Sequence, residues 1–472
     1  MRTVRLAETR RDLPETLEIP DQPAHRGGEG DVFFTTDDRY VVKLYHRPPS
    51  DKIRLLEHVL NLGRSLGPDE RFLAWPRGIV VAVDDKPKIG VVTARLPDRC
   101  QPLQRLAYSP CEALEQFRQG RTWLDFLKLA RAAAAAVRAL HGKGMVHADL
   151  HLKNFLADPQ TSSVTLIDLD GLVVRGFLPP QVKGAPGFMA PEILTHDKTP
   201  DEWSDRHSAA VLILWILLFR NVMQSRQCYD PDDPARDDLL GYGREACFSE
   251  HPTDHRNRVP GTGEPLFRNG TLSYRMLSPK LQRLTERAFI DGLHHADRRP
   301  QVVEWERALA EAYDLLVVCP GCRQSHLHPY WLPPAARRCP FCGQPGPMPP
   351  PAVLELFEPR ARGCYVPLRH LVLSHKLPLF ADIRQPRTLP PFTRQGTPVI
   401  GLNRWDAQHR CFRLENHSDQ PWEVIRGEGG TVPPGKSVLL RPNLWLSLGR
   451  DCRILRVCDP LQPATTRRTE TT

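Results

Sequence analysis

The ten residues Met145-Val-His-Ala-Asp-Leu-His-Leu-Lys-Asn154 constrain this chain more than any other stretch, because they set an acid, two bases and an amide on a spacing that phosphoryl transfer uses. Asp149 is placed to orient an acceptor hydroxyl and take its proton, and Asn154 to hold a magnesium ion. The stretch before it, Trp123 to Leu140, has an alanine-rich middle and predicts a helix that delivers the chain to Asp149. The stretch after it, Ser163-Val-Thr-Leu-Ile-Asp-Leu-Asp-Gly171, reads as a short buried strand ending in two acids, one of which is expected to bind metal. Taken alone, a polar loop and an acidic turn would explain both stretches. What argues for chemistry is the order in which further parts follow.

Residues 25–46, His-Arg-Gly-Gly-Glu-Gly-Asp-Val-Phe-Phe-Thr-Thr-Asp-Asp-Arg-Tyr-Val-Val-Lys-Leu-Tyr-His, read as a glycine turn between two strands. Gly27, Gly28 and Gly30 let backbone amides approach nucleotide phosphates, and Val32 would pack on the base. Lys43 follows Val41 and Val42 on the next strand, as the lysine of V-A-I-K does, within reach of the α- and β-phosphates. Ile53, Leu56, Val59 and Leu60 fall at helical spacing and predict a helix over 51–62. Glu57 on that helix is read as the ion-pair partner of Lys43, with a solvent-facing glutamate as the alternative. Strands over 78–83 and 89–94 then lead into Arg95, Leu96 and Pro97, a hinge over the adenine. Asp168 stands where the Asp of D-F-G lies and is assigned magnesium together with Asn154, which leaves Asp170 at the glycine position.

From about residue 25 to 315 the chain resembles a eukaryotic-type (Hanks-type) bacterial Ser/Thr protein kinase. Met189-Ala-Pro-Glu192 matches the A-P-E that closes the activation segment, and residues 184–188 match its acceptor-docking loop. Ser204-Asp-Arg-His-Ser-Ala-Ala-Val-Leu-Ile-Leu resembles the start of the buried central helix, whose acid, here Asp205, braces the catalytic loop. Arg299 in Asp297-Arg-Arg-Pro resembles the late arginine that pairs with the A-P-E glutamate, here Glu192. The resemblance implies a bilobal α+β fold, ATP and magnesium as cofactors, catalysis by Lys43, Asp149, Asn154 and Asp168, and a protein hydroxyl as acceptor.

The departures bear on regulation and on the acceptor. His25 replaces the first glycine of the loop, Leu169 the Phe of D-F-G and Asp170 its glycine, which restricts motion of the activation segment. Ala148 stands where regulated protein kinases carry an arginine, so a phosphate on that segment has no cation there to bind. His151 takes the place of a phosphate-contacting lysine, and this D-L-H form also resembles aminoglycoside and lipopolysaccharide-core kinases.

With 472 residues the chain exceeds a single hydrophobic core, and its 47 prolines concentrate near 320–351 and 384–398, where linkers or loops are expected. Cys319-Pro-Gly-Cys322 and Cys339-Pro-Phe-Cys342 present four thiolates at a spacing that suits one structural zinc, with His326 and His328 outside a shell already closed. Two disulfides are the alternative, which a reducing compartment disfavours. From about 350, short apolar runs at Cys411-Phe-Arg-Leu, Trp422-Glu-Val-Ile, Ser437-Val-Leu-Leu, Leu444-Trp-Leu-Ser-Leu and Ile454-Leu-Arg-Val are separated by turns and predict a small all-β sandwich. Its order resembles forkhead-associated domains, although their phosphate-binding residues have no match. The expected organisation is an N-terminal extension over 1–24, a protein-kinase-like domain over 25–315, a zinc ribbon over 316–348, a β-sandwich-like domain over 349–460 and a disordered polar tail over 461–472.

A net charge of +9 is spread among acids and reads as a solvated surface, so no nucleic-acid partner is expected. The N-terminus lacks the apolar core of a secretory signal, and the apolar run Ala209 to Phe219 is about half a bilayer span, so the reading is cytoplasmic without a membrane span. Kinase, ribbon and β module together, with Phe248-Ser-Glu-His-Pro-Thr-Asp-His-Arg-Asn-Arg258, resemble the kinases of tellurite-resistance-like triads. That resemblance implies a signalling or stress-response role with a cognate Ser/Thr phosphatase and a von Willebrand factor A protein as partners. A small-molecule (sugar or lipopolysaccharide-core) kinase and a pseudokinase scaffold stand as alternatives; the A-P-E segment argues against the first and the intact Lys43, Asp149, Asn154 and Asp168 against the second.

Overall fold

The computed structural model of the chain describes residues 1–9, 13–174, 184–224, 227–361 and 364–459. The expected tail over 461–472 lies outside the described residues. The chain divides into two compact units. One comprises Met1–Gln116, Lys128–Asn257 and Glu286–Val303, the other Phe117–Leu127, Arg258–Thr285 and Glu304–Thr472. The expected boundary after 315 therefore falls inside the second unit.

The first unit begins with seven antiparallel strands: β1 (Arg2–Thr9), β2 (Thr16–Ile19), β3 (His25–Arg26), β4 (Gly30–Phe34), β5 (Tyr40–Tyr45), β6 (Gly78–Val83) and β7 (Lys86–Ala94). They are ordered β2-β1-β6-β7-β5-β4-β3, so the stretch before residue 25 adds two strands to the sheet through β1 against β6. Alternation along β5 decides what each face carries. Tyr40, Val42 and Leu44 point into a core with Val4, Leu17, Ile19, Phe33, Val80 and Val92. The opposite face carries Tyr45, Ile79 and Val91, covered by Leu56 and Leu60 of α1 (Lys52–Gly63). Lys43 lies on this second face, in one row with Val32 on β4 and Val91 on β7. Gly30 has no room for a side chain, since a Cβ would meet the Leu44 carbonyl oxygen at 2.5 Å.

Below the sheet, the predicted helix runs Trp123–His141 and buries its alanine-rich middle. The helix Glu202–Leu218 starts with a reciprocal cap between Asp201 and Ser204 and is buried on every residue from Ser204 to Leu218. The apolar run in it is thus core. Among the described residues no helix is long and apolar enough to cross a membrane.

The helix Val302–Ala312 is followed, in the second unit, by a strand Leu316–Val318 paired with Ser325–Leu327. The run Leu315-Leu316-Val317-Val318 suits a pleated strand better than a helix end. This hairpin carries Gln324 and Ser325, whose side chains accept from the backbone amides of Trp123 (3.1 Å) and Leu124 (2.7 Å), donors that a helix start leaves free. Phe117 packs on Phe126, Phe267 and Phe341 at ring-centre distances of 5.8, 6.2 and 5.7 Å. The region 352–457 contains a six-stranded and a four-stranded antiparallel sheet. Leu354, Leu356, Leu371 and Leu455 from the first sheet share one core with Leu379, Ile400, Phe412, Leu414 and Val438 from the second.

Candidate functional site

A cleft of about 1260 Å³ opens between the sheet and the helical part of the first unit. The glycine turn closes on itself through Gly27 N to Gly30 O at 3.0 Å and lines the cleft with Gly27, Gly28, Gly30 and Val32. Leu156, Ile167, Arg95, Leu96 and Pro97 line the same cleft. Lys43, Asp149, Asn154 and Asp168 all face it, so the structure brings these sequence-predicted residues together.

The loop bearing Asp149 is held by side chains far along the chain. The Asp205 carboxylate accepts from the backbone amides of His147 (2.7 Å) and Ala148 (2.9 Å), and its Oδ2 lies 3.3 Å from His141 Nε2. Two amides on one buried carboxylate fix the turn, and Ala148 takes the left-handed conformation (φ 63°) that the turn demands. Asn154 Nδ2 donates to the Asp149 carbonyl at 2.9 Å, and Ile167 N donates to Asn154 O at 2.8 Å, tying the loop to the following strand. Burial would raise the Asp149 carboxyl, but His151, 3.4 Å away, and His147 hold it below the ordinary range and so ionised, as a proton acceptor must be.

Above Asp149, charge concentrates at Lys43. Its Nζ lies 2.5 Å from Asp168 Oδ1, 3.1 Å from Asp170 Oδ2 and 3.6 Å from Glu29 Oε2. Glu57, expected as its partner, makes no bond to it; the helix position that reaches inward is Lys52, five residues earlier, which donates to the Asp170 carbonyl at 2.6 Å. The Tyr45 hydroxyl also donates to the Asp170 carboxylate. Burial would lower Lys43, yet the Asp170 and Asp168 charges outweigh it and raise it. Asp170 is held well below the carboxylate range against its burial by Lys43 and Lys52, while Asp168 is raised by burial and by the Asp170 charge. Glu29, Tyr45 and Lys52 carry no motif signal; only Asp170 was marked in the sequence, as an acid on a glycine position.

A second hollow of about 540 Å³ adjoins Asp149 and His151 and is lined by residues 184–188, Trp215, Asn221 and Tyr242. The 184–188 loop is anchored by Ser208 Oγ to Phe188 O (2.7 Å), by Asn221 Nδ2 to Gly187 O (3.0 Å) and by Phe188 stacked on Trp215 at 4.9 Å. Arg299, fully buried, forks onto Glu192 at 2.6 and 2.8 Å. The stretch 175–183 between Asp168 and this loop lies outside the described residues.

In the second unit the sulfurs of Cys319, Cys322, Cys339 and Cys342 all lie within 4.8 Å of one another, with Cys319 to Cys342 and Cys322 to Cys339 at 3.6 Å. Tetrahedral zinc with Zn–S bonds of about 2.3 Å has sulfur edges near 3.8 Å, so the four thiols fit that ion. The two knuckles repeat one backbone pattern: Cys319 N to Gln324 O with Arg323 N to Cys319 O, and Cys339 N to Gln344 O with Gly343 N to Cys339 O. His326 and His328 are buried but outside this set.

Residues 114–238 match the protein kinase domain family. Over 89 residues the chain is 32% identical to the dual serine/threonine and tyrosine protein kinase of Apis mellifera, covering 18% of this chain and 9% of that protein. Over 97 residues it is 40% identical to calcium-dependent protein kinase 9 of Oryza sativa subsp. japonica, covering 19% and 16% respectively. The chain thus spans under a fifth of the length of these curated relatives. Among solved structures it is similar to the Cydia pomonella Granulovirus kinase PK-1, at 16% identity and TM-score 0.42, over 61% of this chain and 92% of that one. The first unit has a kinase-like fold of mixed helix and sheet, and the family match covers the segment that carries Asp149, Asn154 and Asp168.

Proposed function

We propose that the chain is a Ser/Thr protein kinase that transfers the γ-phosphoryl group of ATP to protein hydroxyls. The observation that carries this reading is an ionised Asp149, on a loop clamped by Asp205, facing one cleft with Lys43, Asn154 and Asp168. Asp149 would orient the acceptor and take its proton, Lys43 would meet the phosphates beneath the Gly27, Gly28 and Gly30 turn, and Val32 and Leu156 would enclose the base. Asn154 and Asp168 would hold magnesium, which when bound neutralises phosphate charge. The anchored 184–188 loop beside Asp149 supports a peptide acceptor over a small hydroxyl compound, the reading His151 leaves open.

The region over 25–315 is read as the kinase-like domain, 316–348 as a zinc ribbon closed by Cys319, Cys322, Cys339 and Cys342, and 349–460 as a β-sandwich-like module that recruits partners. The four-thiol geometry supports the ribbon, and the shared core of the two sheets supports the sandwich. The same combination of parts supports a cytoplasmic bacterial signalling role alongside a cognate phosphatase and a von Willebrand factor A protein. Incubating the full chain with labelled ATP, magnesium and cell lysate tests the reading. Label in protein serine or threonine is the expected result; label in saccharide, or none above a no-enzyme control, would overturn it.

A further inference from the structure

In protein kinases the strand lysine that meets the phosphates is positioned by a glutamate of the following helix. Here α1 does not supply it, because Lys43 meets Asp168, Asp170 and Glu29 instead. These three carboxylates are not equivalent. Asp168 and Glu29 are 40% and 46% exposed, whereas Asp170 is 4% exposed. Asp168 is therefore open to exchange its lysine for a metal. Asp170 is not: it receives Lys43, the Tyr45 hydroxyl and Lys52, whose Nζ lies 3.5 Å from Oδ2 and 2.6 Å from the Asp170 carbonyl. Withdrawing a buried carboxylate from such partners leaves uncompensated charge in a dry site.

Lys52 is a costly residue where it stands. It opens α1, at the positive end of the helix dipole, and is largely buried. Asp170 offsets both penalties together with the Tyr45 ring, whose centre lies 4.5 Å from the Lys52 ammonium. The helix itself is pinned to the sheet by Leu56 and Leu60 against Tyr45, Ile79 and Val91, and by Trp75 Nε1 donating to Val59 O at 2.9 Å. On the other side of the link, the segment from Asp168 to Glu192 contains no serine, threonine or tyrosine, and Ala148 supplies no cation. Phosphorylation of a serine, threonine or tyrosine within that segment has no hydroxyl to act on.

Resting on the kinase reading, we propose that Asp170 is the positioning residue for Lys43 in place of a helix glutamate, and that Lys52 is the counter-charge that fixes Asp170. The order of charges along the link, Lys52, Asp170, Lys43, joins α1 to the metal-facing segment without a switch. With Asp168 turned to metal, Lys43 keeps Asp170 and Glu29 as its carboxylate neighbours, and Lys52 balances the buried one.

The test measures Mg–ADP binding by calorimetry, and KM for ATP and kcat toward a generic protein acceptor, in the full chain. Asp170→Asn and Lys52→Met are each expected to weaken Mg–ADP binding and raise KM for ATP about tenfold, with circular dichroism unchanged, and Lys52→Arg to recover most of the loss. The double variant Lys52→Met/Asp170→Asn should be little worse than either single one, because one link is being cut twice. Tyr45→Phe, which removes a donor without a charge, gives the same readout if Asp170→Asn does not fold; a smaller rise in KM is expected, and wild-type KM would overturn the link. If wild type binds Mg–ADP and Asp170→Asn binds it equally well, or if Glu57→Gln raises KM where Asp170→Asn does not, the proposal falls while the kinase reading stands. Wild type that binds no Mg–ADP would overturn both.

Discussion

Asp170 and Asp314 are two buried acids set between two basic side chains each, in different surroundings. Asp170, 4% exposed, lies under the cleft of the first unit beside Asp168, which is 40% exposed. Asp314, 1% exposed, is shared in the second unit by Arg369 (2.8 Å) and Arg394 (2.6 Å), and Arg394 goes on to Asp382 at 2.9 Å. Nearby, Arg453 pairs with Glu358 at 2.8 Å and donates to Thr388 O at 2.9 Å. In the second unit the chain of charges ends on other buried groups. In the first it ends on a half-open carboxylate facing a cleft wide enough for a nucleotide. Burial of charge by itself therefore does not distinguish the two regions; the exposed carboxylate beside the buried pair does.

The contrast is open to being broken, most drastically at the four-cysteine cluster. Cys339→Ser should release the zinc and unfold the ribbon, since a structural zinc supplies on the order of 10 kcal/mol in comparable small units. Elemental analysis of freshly purified wild type should find one zinc per chain, and protein without zinc would refute the site. Because Phe117 packs on Phe341, and the amides of Trp123 and Leu124 are capped by Gln324 and Ser325, the damage should spread to the segment 117–127. A chain cut near residue 316 is accordingly expected to melt at a lower temperature than the full chain.

Next in size, Asp149→Asn should lower phosphoryl transfer by roughly a hundred- to ten-thousand-fold with the fold intact, the usual worth of a general base. Asp168→Asn should abolish transfer through loss of metal; near-wild-type turnover in either purified variant would remove the assignment. Asp314→Asn should do the reverse. It leaves Arg369 and Arg394 short of a buried partner and should cost about 3–5 kcal/mol in denaturant unfolding, while KM for ATP stays at its wild-type value in the folded fraction. A changed KM would erase the distinction between the two regions.

A smaller effect follows from histidines. Burial pushes His328 down to about 3 and His370 to about 4, with Arg337 and Arg456 adding to it. Both are neutral when folded and take up protons near pH 6.5 when unfolded. Their contribution is complete above that pH and is lost as pH falls toward 4, by about 1.4 kcal/mol per pH unit per histidine. Urea melts of the full chain at pH 7, 6 and 5 should show the decline, and His328→Gln should flatten it. The smallest effect is none: phosphatase treatment should leave the transfer rate unchanged, because the Asp168 to Glu192 segment has no hydroxyl side chain. A large loss would place a controlling phosphate elsewhere.

Much of this was readable because it is local. Asp149 and Asn154 lie on one loop, Gly27 to Lys43 on one hairpin, and each Cys-x-x-Cys on one knuckle, so spacing alone sets which groups can converge. Strand β6 was read at its observed ends for the same reason: a β-branched run bounded by turns has one stable use. The grip of Asp205 on His147 and Ala148, and of Arg299 on Glu192, spans 58 and 107 residues and was legible only through family resemblance.

What the chain's order of residues determined by itself is therefore the inventory: Asp149 and Asn154 on one loop, Asp168 after a buried strand, a glycine turn and four thiols, each fixed by contacts a few bonds apart. What the tertiary structure decided is which charge answers which. Glu57 and Lys52 are five positions apart on α1, and helical phase, together with the packing of Leu56 and Leu60 on the sheet, turns Lys52 toward Asp170 and leaves Glu57 off Lys43. The partner of Lys43 was settled by which face of a helix buries its leucines, a choice made by packing across the sheet and not by any spacing along the chain.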